Sequence, residues 1–143
     1  MDLNTNVLVR PAAKADLSEI VLMQSAAETM SQWNPEDYLA QECLVAECDG
    51  RVAGFIVVRG TSPDESEILN LAVAPEFRRQ GIAGRLVQCV LETHPGSVYL
   101  EVRQSNLAAQ KLYESRGFHQ ISVREKYYSD PVEGAIVMKF CSC

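Results

Sequence analysis

Two apolar runs, 43–48 and 51–58, are separated only by Asp49-Gly50. A two-residue joint makes the flanking strands antiparallel, and Asp-Gly suits the joint because the tight turn needs positive φ values. The sequence therefore predicts a β-hairpin in the first half of the chain. Any fold proposed for this chain must contain antiparallel pairing at that point.

Further strands and helices are predicted on both sides of the hairpin. Apolar residues recur at helical spacing over 16–30 and 81–93, and Ser105 or Asn106 caps a helix that runs to Gly117. A brief helix near 35–41 is also expected, after Trp33-Asn34-Pro35 breaks the first one. Strands are predicted at 6–10, 67–74, 97–103, 118–126 and 134–140.

The order of these elements, β-α-α-β-β-β-α-β-α-β-β, determines the expected fold class. A helix between the strands at 67–74 and 97–103 implies one parallel crossover, whereas the other neighbouring strands are antiparallel. We therefore expect an α/β-type mixed sheet flanked by helices, and not a doubly wound nucleotide-binding fold. No repeat or linker interrupts the chain, so residues 1–143 are expected to form a single domain.

Composition narrows the classes of partner. Apolar residues make up 47% and charged residues 22% of the chain, and no apolar run approaches the ~18 residues of a membrane span. The 13 basic and 19 acidic residues give a net charge of −6. That balance disfavours a protein that grips nucleic-acid phosphates and favours a basic partner such as an amine or cationic peptide.

The cysteines and histidines do not suggest a metal or disulfide framework. Five cysteines lack framework spacing and Met1-Asp2-Leu3-Asn4 lacks signal-peptide character, so reduced thiols in the cytoplasm are expected. Cys141-Ser142-Cys143 is a weak metal motif without further ligands. Cys89 has no His at motif spacing and is interpreted as a buried small hydrophobe. Because His94 and His119 lack triad or ligand spacing, we expect surface positions for both.

The segment from Arg78 to Arg85 carries the strongest local chemical signal. It reads Arg-Arg-Gln-Gly-Ile-Ala-Gly-Arg, between a predicted strand and an amphipathic helix. Free N–H groups at a helix start, a glycine and flanking arginines can bind a phosphate. The other interpretation is a flexible helix start with solvated arginines, and local physics leaves both open. A P-loop is excluded because no Gly-Lys-Ser/Thr follows.

The spacing Arg78-x-x-Gly81-x-Ala83 resembles the (Gln/Arg)-x-x-Gly-x-(Gly/Ala) signature of the GNAT acetyltransferase superfamily, which cradles the pyrophosphate of acetyl-CoA. Residues 68–75 resemble that superfamily's fourth strand. Residues 100–106 and 112–118 resemble the "LEVR-x-SN" and "LYE-x-x-GF" motifs of the ribosomal-protein alanine N-acetyltransferase (RimI-type) family. The resemblance covers residues 66–140 closely and residues 1–65 only by element order.

The resemblance implies a GNAT-like mixed, mostly antiparallel sheet of about seven strands flanked by about four helices. It also implies direct transfer of an acetyl group from acetyl-CoA to a primary amine, foremost the N-terminal α-amine of a protein, with a ribosomal protein among the candidates. Two alternatives stay open: an acceptor that is a small amine or amino-acid derivative, and a non-catalytic acyl-CoA-binding module. A cytoplasmic monomer or weak homodimer is expected, without metal, membrane or direct nucleic-acid contact.

Two residues match the family's catalytic positions. By resemblance, Glu101 is the general base for the acceptor amine and Tyr113 the general acid for the departing thiolate. An α-amine with a pKa of ~8 is largely protonated at neutral pH, so a nearby carboxylate has a proton to take. From the residues alone, Glu101 could instead pair with a neighbouring arginine, and Tyr113 could be a core aromatic.

The resemblance also assigns binding roles. Asn106 is expected to bind the pantetheine arm, although it also fits a simple helix cap. The cofactor-binding residues implied are Leu71, Ala72, Val73, Arg78, Arg79, Gln80, Gly81, Ile82, Ala83, Gly84 and Asn106. Those implied for the acceptor are Trp33, Tyr127 and Tyr128.

Overall fold

The computed structural model describes residues 7–26, 37, 41–129 and 132–141. Within these ranges the chain forms seven strands and three α-helices. In chain order they are β1 (Val7–Pro11), α1 (Leu17–Ala26), β2 (Glu42–Cys48), β3 (Arg51–Ser62), β4 (Glu65–Val73), α2 (Ile82–Thr93), β5 (Ser97–Arg103), α3 (Leu107–Ser115), β6 (His119–Ser129) and β7 (Val132–Cys141).

All seven strands join one sheet in the order β1-β2-β3-β4-β5-β7-β6. Only β4 and β5 pair in parallel, and the other neighbours are antiparallel. The predicted mixed, mostly antiparallel sheet is thereby confirmed. The β2–β3 hairpin turns at Asp49 and Gly50, whose φ values are 52° and 81°, as the Asp-Gly joint predicts.

Apolar side chains on the two faces of the sheet build two core clusters. On one face, α2 contributes Ile82, Leu86, Val87 and Val90, and α3 contributes Tyr113. The opposite face carries α1 through its residues Ile20 and Met23, packed on side chains of β2 and β3. The described helices therefore cover both faces of the sheet, with α2 and α3 on one face and α1 on the other.

Two sequence expectations fall on residues outside those described: the first helix beyond residue 26, and the brief helix near 35–41 apart from its positions 37 and 41. Within the described ranges, no helix has the length and apolar character to cross a membrane. The thiol prediction holds for Cys43, Cys48 and Cys89, which are free, but is wrong for Cys141, which is disulfide-bonded. An odd number of cysteines without framework spacing does not exclude a single disulfide bond.

The surface prediction is confirmed for the exposed His119 and is wrong for His94. The His94 side chain is only 18% exposed. It ends α2, where its Nδ1 lies 3.2 Å from Ser66 Oγ and its Nε2 lies 3.0 Å from Glu42 Oε1. His94 thus connects the end of α2 to β4 and β2, a tertiary role that sequence spacing cannot show.

Asp16 holds the start of α1 against β1. Its carboxylate accepts hydrogen bonds from Arg10 Nη1 at 2.9 Å and from the Ala13 N–H at 2.7 Å. The bond from Arg10, helped by the Ala13 N–H and opposed by burial, lowers the pKa of Asp16. A lowered folded-state pKa gives stability that is present above the unfolded pKa and is lost as pH falls through the folded value.

We therefore expect Asp16→Asn to lower the free energy of unfolding at pH 7 by about 2 kcal/mol, since Arg10 loses its buried partner. The difference in unfolding free energy between this variant and wild type should become smaller once pH falls below ~4, where the carboxyl of the unfolded chain is protonated. Urea denaturation at pH 7 and pH 3 measures both values. Asp64→Asn, at an exposed carboxylate that accepts a hydrogen bond from Ser62 Oγ, is the matched control. An equal gap at both pH values would contradict this electrostatic account.

Candidate active site

A cleft opens where the two parallel strands separate. β4 and β5 pair only from Glu65–Ser97 to Ile68–Leu100. Beyond that point, residues 69–73 and 101–103 diverge and enclose a cavity of about 440 Å³. Because parallel strands end at the same sheet edge, the loops before α2 and α3 meet at its mouth. The lining residues are Ile68, Leu69, Asn70, Leu71, Ala72, Val73, Arg78, Ala83, Leu100, Glu101, Val102, Arg103, Asn106, Ala108, Ala109, Leu112 and Tyr113.

The loop before α2 begins that helix with a left-handed glycine. Gly81 has φ 77° at the N-cap of α2, and Arg79 has φ 64°. The first intrahelical bond runs from Arg85 N to Gly81 O, so the N–H groups of residues 82–84 have no helical acceptor. This helix start can bind an anion, with Arg78 beside it at the cleft wall.

The predicted cofactor residues of this loop play unequal parts. Arg78 and Ala83 line the cleft, and Arg78 Nε donates to Val73 O at 3.4 Å. The Ile82 side chain is 2% exposed in the core, so only its backbone can serve a ligand. Gly84 packs against the guanidinium of Arg116 and is not among the cleft-lining residues. The remaining three, Arg79, Gln80 and Gly81, belong to the loop before α2 but are not among the residues that line the cleft.

We expect Gly81→Val to raise KM for acetyl-CoA ~10-fold, since a β-branched residue strongly resists positive φ and would displace the N–H groups of the α2 start. The measurement is initial rate against acetyl-CoA concentration. Gly50→Val is a matched control, because Gly50 has φ 81°, open space around its Cα and a position outside the cleft. Equal KM values in the two variants would contradict an anion-binding role for this loop.

The end of β4 presents backbone groups to the cleft. A Cβ placed on Gly54 of β3 would lie 2.8 Å from Ala72 O, so the Ala72 carbonyl faces β3. Since backbone groups alternate along a strand, those of Leu71 and Val73 face the opposite way, toward the cleft. The Leu71 N–H already donates to Asn70 Oδ1 at 3.1 Å. Of the predicted trio, Val73 is therefore best placed to donate an N–H to a ligand.

Asn70 is a cleft residue that sequence reasoning missed. It is 7% exposed, and its Nδ2 donates to Gln24 Oε1 on α1 at 3.4 Å. The pair connects the cleft floor to the helix on the other face of the sheet. The signal was present in the sequence, because Asn70 is the single polar residue in the apolar run from Ile68 to Pro75.

Glu101 stands at the wall of the cleft on β5. Its side chain is 17% exposed, and its Oε2 accepts a hydrogen bond from Arg124 Nη1 at 2.9 Å. The alternative of an ion pair with an arginine is therefore realised, with an arginine from β6. It does not compete with the base hypothesis, because Glu101 lines the cleft and Arg124 does not.

Tyr113, on α3, lines the same cleft as Glu101. The residue is 7% exposed, and its ring meets Phe118 edge-on with centroids 5.5 Å apart. Tyr113 also lines the cleft, so packing and catalysis are compatible at this position. The structure thus brings the two predicted catalytic residues to one cavity from separate elements.

Asn106 serves as the N-cap of α3. Its Oδ1 accepts a hydrogen bond from the Ala109 N–H at 3.1 Å, and the residue lines the cleft. The predicted cap is confirmed, while its contact with pantetheine stays a prediction. The cap fixes the side chain at the cleft mouth, which is the position that such a contact requires.

Glu133 of β7 braces the turn that leads into α3. It accepts hydrogen bonds from Arg103 Nη1 at 3.1 Å, from Ser105 Oγ at 3.0 Å and from the Ser105 N–H at 3.3 Å. Burial opposes ionisation, but these bonds prevail and lower the pKa of Glu133. Arg103, 7% exposed and lining the cleft, is thereby fixed next to Glu101.

The predicted acceptor residues are only partly placed. Trp33 and the side chain of Tyr128 lie outside what the structure describes. Tyr127 is 43% exposed, stacks under the Arg124 guanidinium and feels the charge of Glu101, but it is not among the cleft-lining residues. Its part in acceptor binding stays a prediction.

The described thiols do not compete for a catalytic role. Cys89 is half-buried, where burial and Glu92 raise its pKa, so the thiol stays protonated. Burial raises the pKa of Cys43 to about 12. Among the described residues, no group of three or more His, Cys, Asp or Glu side chains could hold a metal ion.

Comparison with known proteins identifies relatives that are similar over part of the chain. The chain is 44% identical over 82 residues to ribosomal protein bS18-alanine N-acetyltransferase of Haemophilus ducreyi, covering 52% of this chain and 57% of that protein. It is 36% identical over 96 residues to the Escherichia coli protein of that name, covering 63% of this chain and 64% of the relative. The matched segments thus span about three fifths of these relatives.

The likeness extends to the whole fold. The crystal structure of the ribosomal-protein-S18-alanine N-acetyltransferase from Escherichia coli superposes with a TM-score of 0.84 at 27% identity, covering 94% of this chain and 93% of that one. Residues 12–118 match the Acetyltransferase (GNAT) family, which is more than half of the chain. The match includes the loop before α2, both strands of the cleft and Tyr113. The protein therefore belongs to the GNAT family of acetyltransferases.

Proposed function

We propose that this protein transfers the acetyl group of acetyl-CoA directly to the N-terminal α-amine of a protein, with a ribosomal protein as the foremost acceptor. The observation that carries the proposal is the single cleft lined by Glu101, Tyr113, Asn106 and the helix start at Arg78 and Ala83. The names of the Haemophilus and Escherichia relatives support an N-terminal alanine as acceptor.

The cleft fits the chemical parts of acetyl-CoA. Its pyrophosphate is an anion, which suits the α2 N-terminus with Arg78. The pantetheine arm is a chain of amides, which suits the backbone groups of Val73 and the side chain of Asn106 beside apolar Leu112 and Ala109. The co-substrate supplies the acetyl group as a reactive thioester at the free end of the pantetheine arm.

The residues of this chain then handle two protons. Glu101 takes a proton from the acceptor ammonium, directly or through water, so that the amine lone pair can attack the acetyl carbonyl. In this proposal the Val73 N–H donates to the carbonyl oxygen as negative charge develops there. Tyr113 gives a proton to the thiolate sulfur as the carbon–sulfur bond breaks, and the second proton that leaves the nitrogen returns to the Tyr113 phenolate, which yields the amide and free CoA. No covalent acyl-enzyme is required, because amine and thioester meet in one cleft.

The proposal extends to the setting of the reaction. One continuous seven-stranded sheet supports a single domain over residues 1–143. The net charge of −6 favours a basic acceptor and disfavours direct nucleic-acid contact. Action in the cytoplasm as a monomer or weak homodimer completes the proposal.

The test uses purified protein, acetyl-CoA and peptides that begin with alanine. CoA thiol release and peptide mass should both increase, and the same peptide with a blocked α-amine should be inert. Acetylation of lysine side chains alone, or of small amines and amino acids alone, would reject the acceptor class and retain the chemistry. Acetyl-CoA binding without transfer to any amine would indicate a binding module and overturn the proposal.

A further inference from the structure

Two residues of the edge strand β6, Arg124 and Tyr127, lie beside Glu101. Arg124 Nη1 lies 2.9 Å from Glu101 Oε2, and its guanidinium carbon lies 4.1 Å from the centre of the Tyr127 ring. The Tyr127 side chain is also within electrostatic reach of the Glu101 carboxylate. Neither Arg124 nor Tyr127 lines the cleft, whereas Glu101 does. The two residues therefore lie beside the Glu101 carboxylate but outside the cleft lining.

An irregularity in β6 aims these side chains. Arg124 pairs with Ala135 and Tyr128 pairs with Glu133, so residues 125–127 stand opposite Gly134 alone. Such a bulge bends a strand and redirects its side chains, and bulges are frequent beside active sites. The redirected strand segment carries Tyr127 to the carboxylate that Arg124 also reaches.

Gly134 permits this bulge by its lack of a side chain. A Cβ at that position would lie 2.7 Å from Gln104 Oε1 and 3.1 Å from Arg124 O. The amide of Gln104 is the end of a flexible side chain and can move, but the Arg124 carbonyl belongs to the backbone. A larger residue at 134 would therefore displace the strand at Arg124 itself.

The electrostatics of the cluster are consistent with a fixed carboxylate. Burial, and after it the charge of Glu101, raise the pKa of Tyr127, so its hydroxyl stays protonated and can donate a hydrogen bond to a carboxylate. The guanidinium keeps its charge at any working pH and stacks well on an aromatic ring. A glutamate bonded to a guanidinium that is itself stacked on a ring loses rotamer freedom before the reaction begins.

We propose that Arg124 and Tyr127 are positioning residues that clamp the Glu101 carboxylate against the cleft wall, in reach of the acceptor amine. The inference rests on the proposed function, in which Glu101 is the base. A clamp on the base affects the chemical step, because misplacement by about 1 Å can cost 10²-fold in rate. It leaves the acetyl-CoA loop at Gly81 untouched.

The first test is Arg124→Ala. We expect kcat to fall ~10- to 100-fold while KM for acetyl-CoA stays near the wild-type value. Ethylguanidinium added to this variant should restore part of kcat, because it can occupy the vacated site beside Glu101 and Tyr127. Arg124→Lys should retain more activity than Arg124→Ala but less than wild type, since an ammonium lacks the planar fork.

The chain offers a matched control in Arg51. It pairs with Glu76 at 3.0 Å and lies 4.9 Å over the Phe77 ring, which repeats the Arg–Glu–aromatic arrangement outside the cleft. Arg51→Ala should leave kcat unchanged and should not respond to ethylguanidinium. Arg124 is 54% exposed, so its loss should not unfold the chain, and thermal melting checks this.

Two further variants decide the matter if Arg124→Ala melts early. Tyr127→Phe keeps the ring under Arg124 and removes only the hydroxyl, so kcat should fall ~3- to 10-fold at an unchanged melting temperature. Gly134→Ala would shift the Arg124 backbone, so we expect its kcat to fall while its KM for acetyl-CoA changes little. Wild-type kcat in both Arg124→Ala and Tyr127→Phe, or no rescue of an impaired and folded Arg124→Ala, overturns the clamp. Full activity of Glu101→Gln would instead reject the base assignment itself.

Discussion

Glu101→Gln is expected to lower kcat at neutral pH ~100-fold or more, with KM for acetyl-CoA nearly unchanged. Glutamine keeps the shape of the side chain and can still accept a bond from Arg124, but its amide cannot take a proton from the ammonium. The loss should therefore fall on the chemical step. Steady-state kinetics against both substrates, together with single-turnover acetylation of an alanine-starting peptide, measure it.

Glu47→Gln provides the matched control for this experiment. Glu47 lies on β2, its side chain is 29% exposed and its Oε1 accepts a bond from Arg10 at 3.0 Å. It is a half-buried strand glutamate in an arginine pair, as Glu101 is, but it is not among the cleft-lining residues. Its replacement should leave kcat within twofold of wild type, because most substitutions away from a functional site have small effects. If both variants keep wild-type rates, the amine loses its proton to solvent and Glu101 is structural.

The elements of the fold were predictable where local chemistry determines them. The Asp49-Gly50 turn, the amphipathic α2 and the Asn106 cap each depend on residues within one turn or one helix. Strand order was not predictable in the same way. That β7 inserts between β5 and β6 depends on pairing between residues distant in sequence, which no local pattern encodes.

The cleft shows the same limit. Motif resemblance marked Glu101 and Tyr113, but the separation of β4 from β5 after Ile68 and Leu100 creates the cavity between them. The partner of Glu101 could not be chosen from the sequence either. Arg103 is two residues away yet bonds Glu133, while Arg124 reaches Glu101 from another strand. Long-range pairing decides which of the two arginines meets Glu101.

Tyr113→Phe separates an acid role from a packing role at the α3 side of the cleft lining. Phenylalanine keeps the ring that packs edge-on against Phe118, so the melting temperature should stay close to wild type. It removes the only proton that the side chain can give to the departing thiolate. We expect kcat to fall ~100-fold with similar acetyl-CoA affinity, and the loss should be visible in single-turnover kinetics.

Tyr99→Phe is the control for this last variant, because Tyr99 lies on β5 with its ring near Lys139 and does not line the cleft. Its kcat should equal wild type. A wild-type rate in Tyr113→Phe would mean that water protonates the thiolate and that Tyr113 serves the core alone. Early melting with weak acetyl-CoA binding would make the hydroxyl structural. Intact folding and binding with slow chemistry in Tyr113→Phe, beside a fully active Tyr99→Phe, is the combination that assigns the acid to α3 and leaves the base on β5.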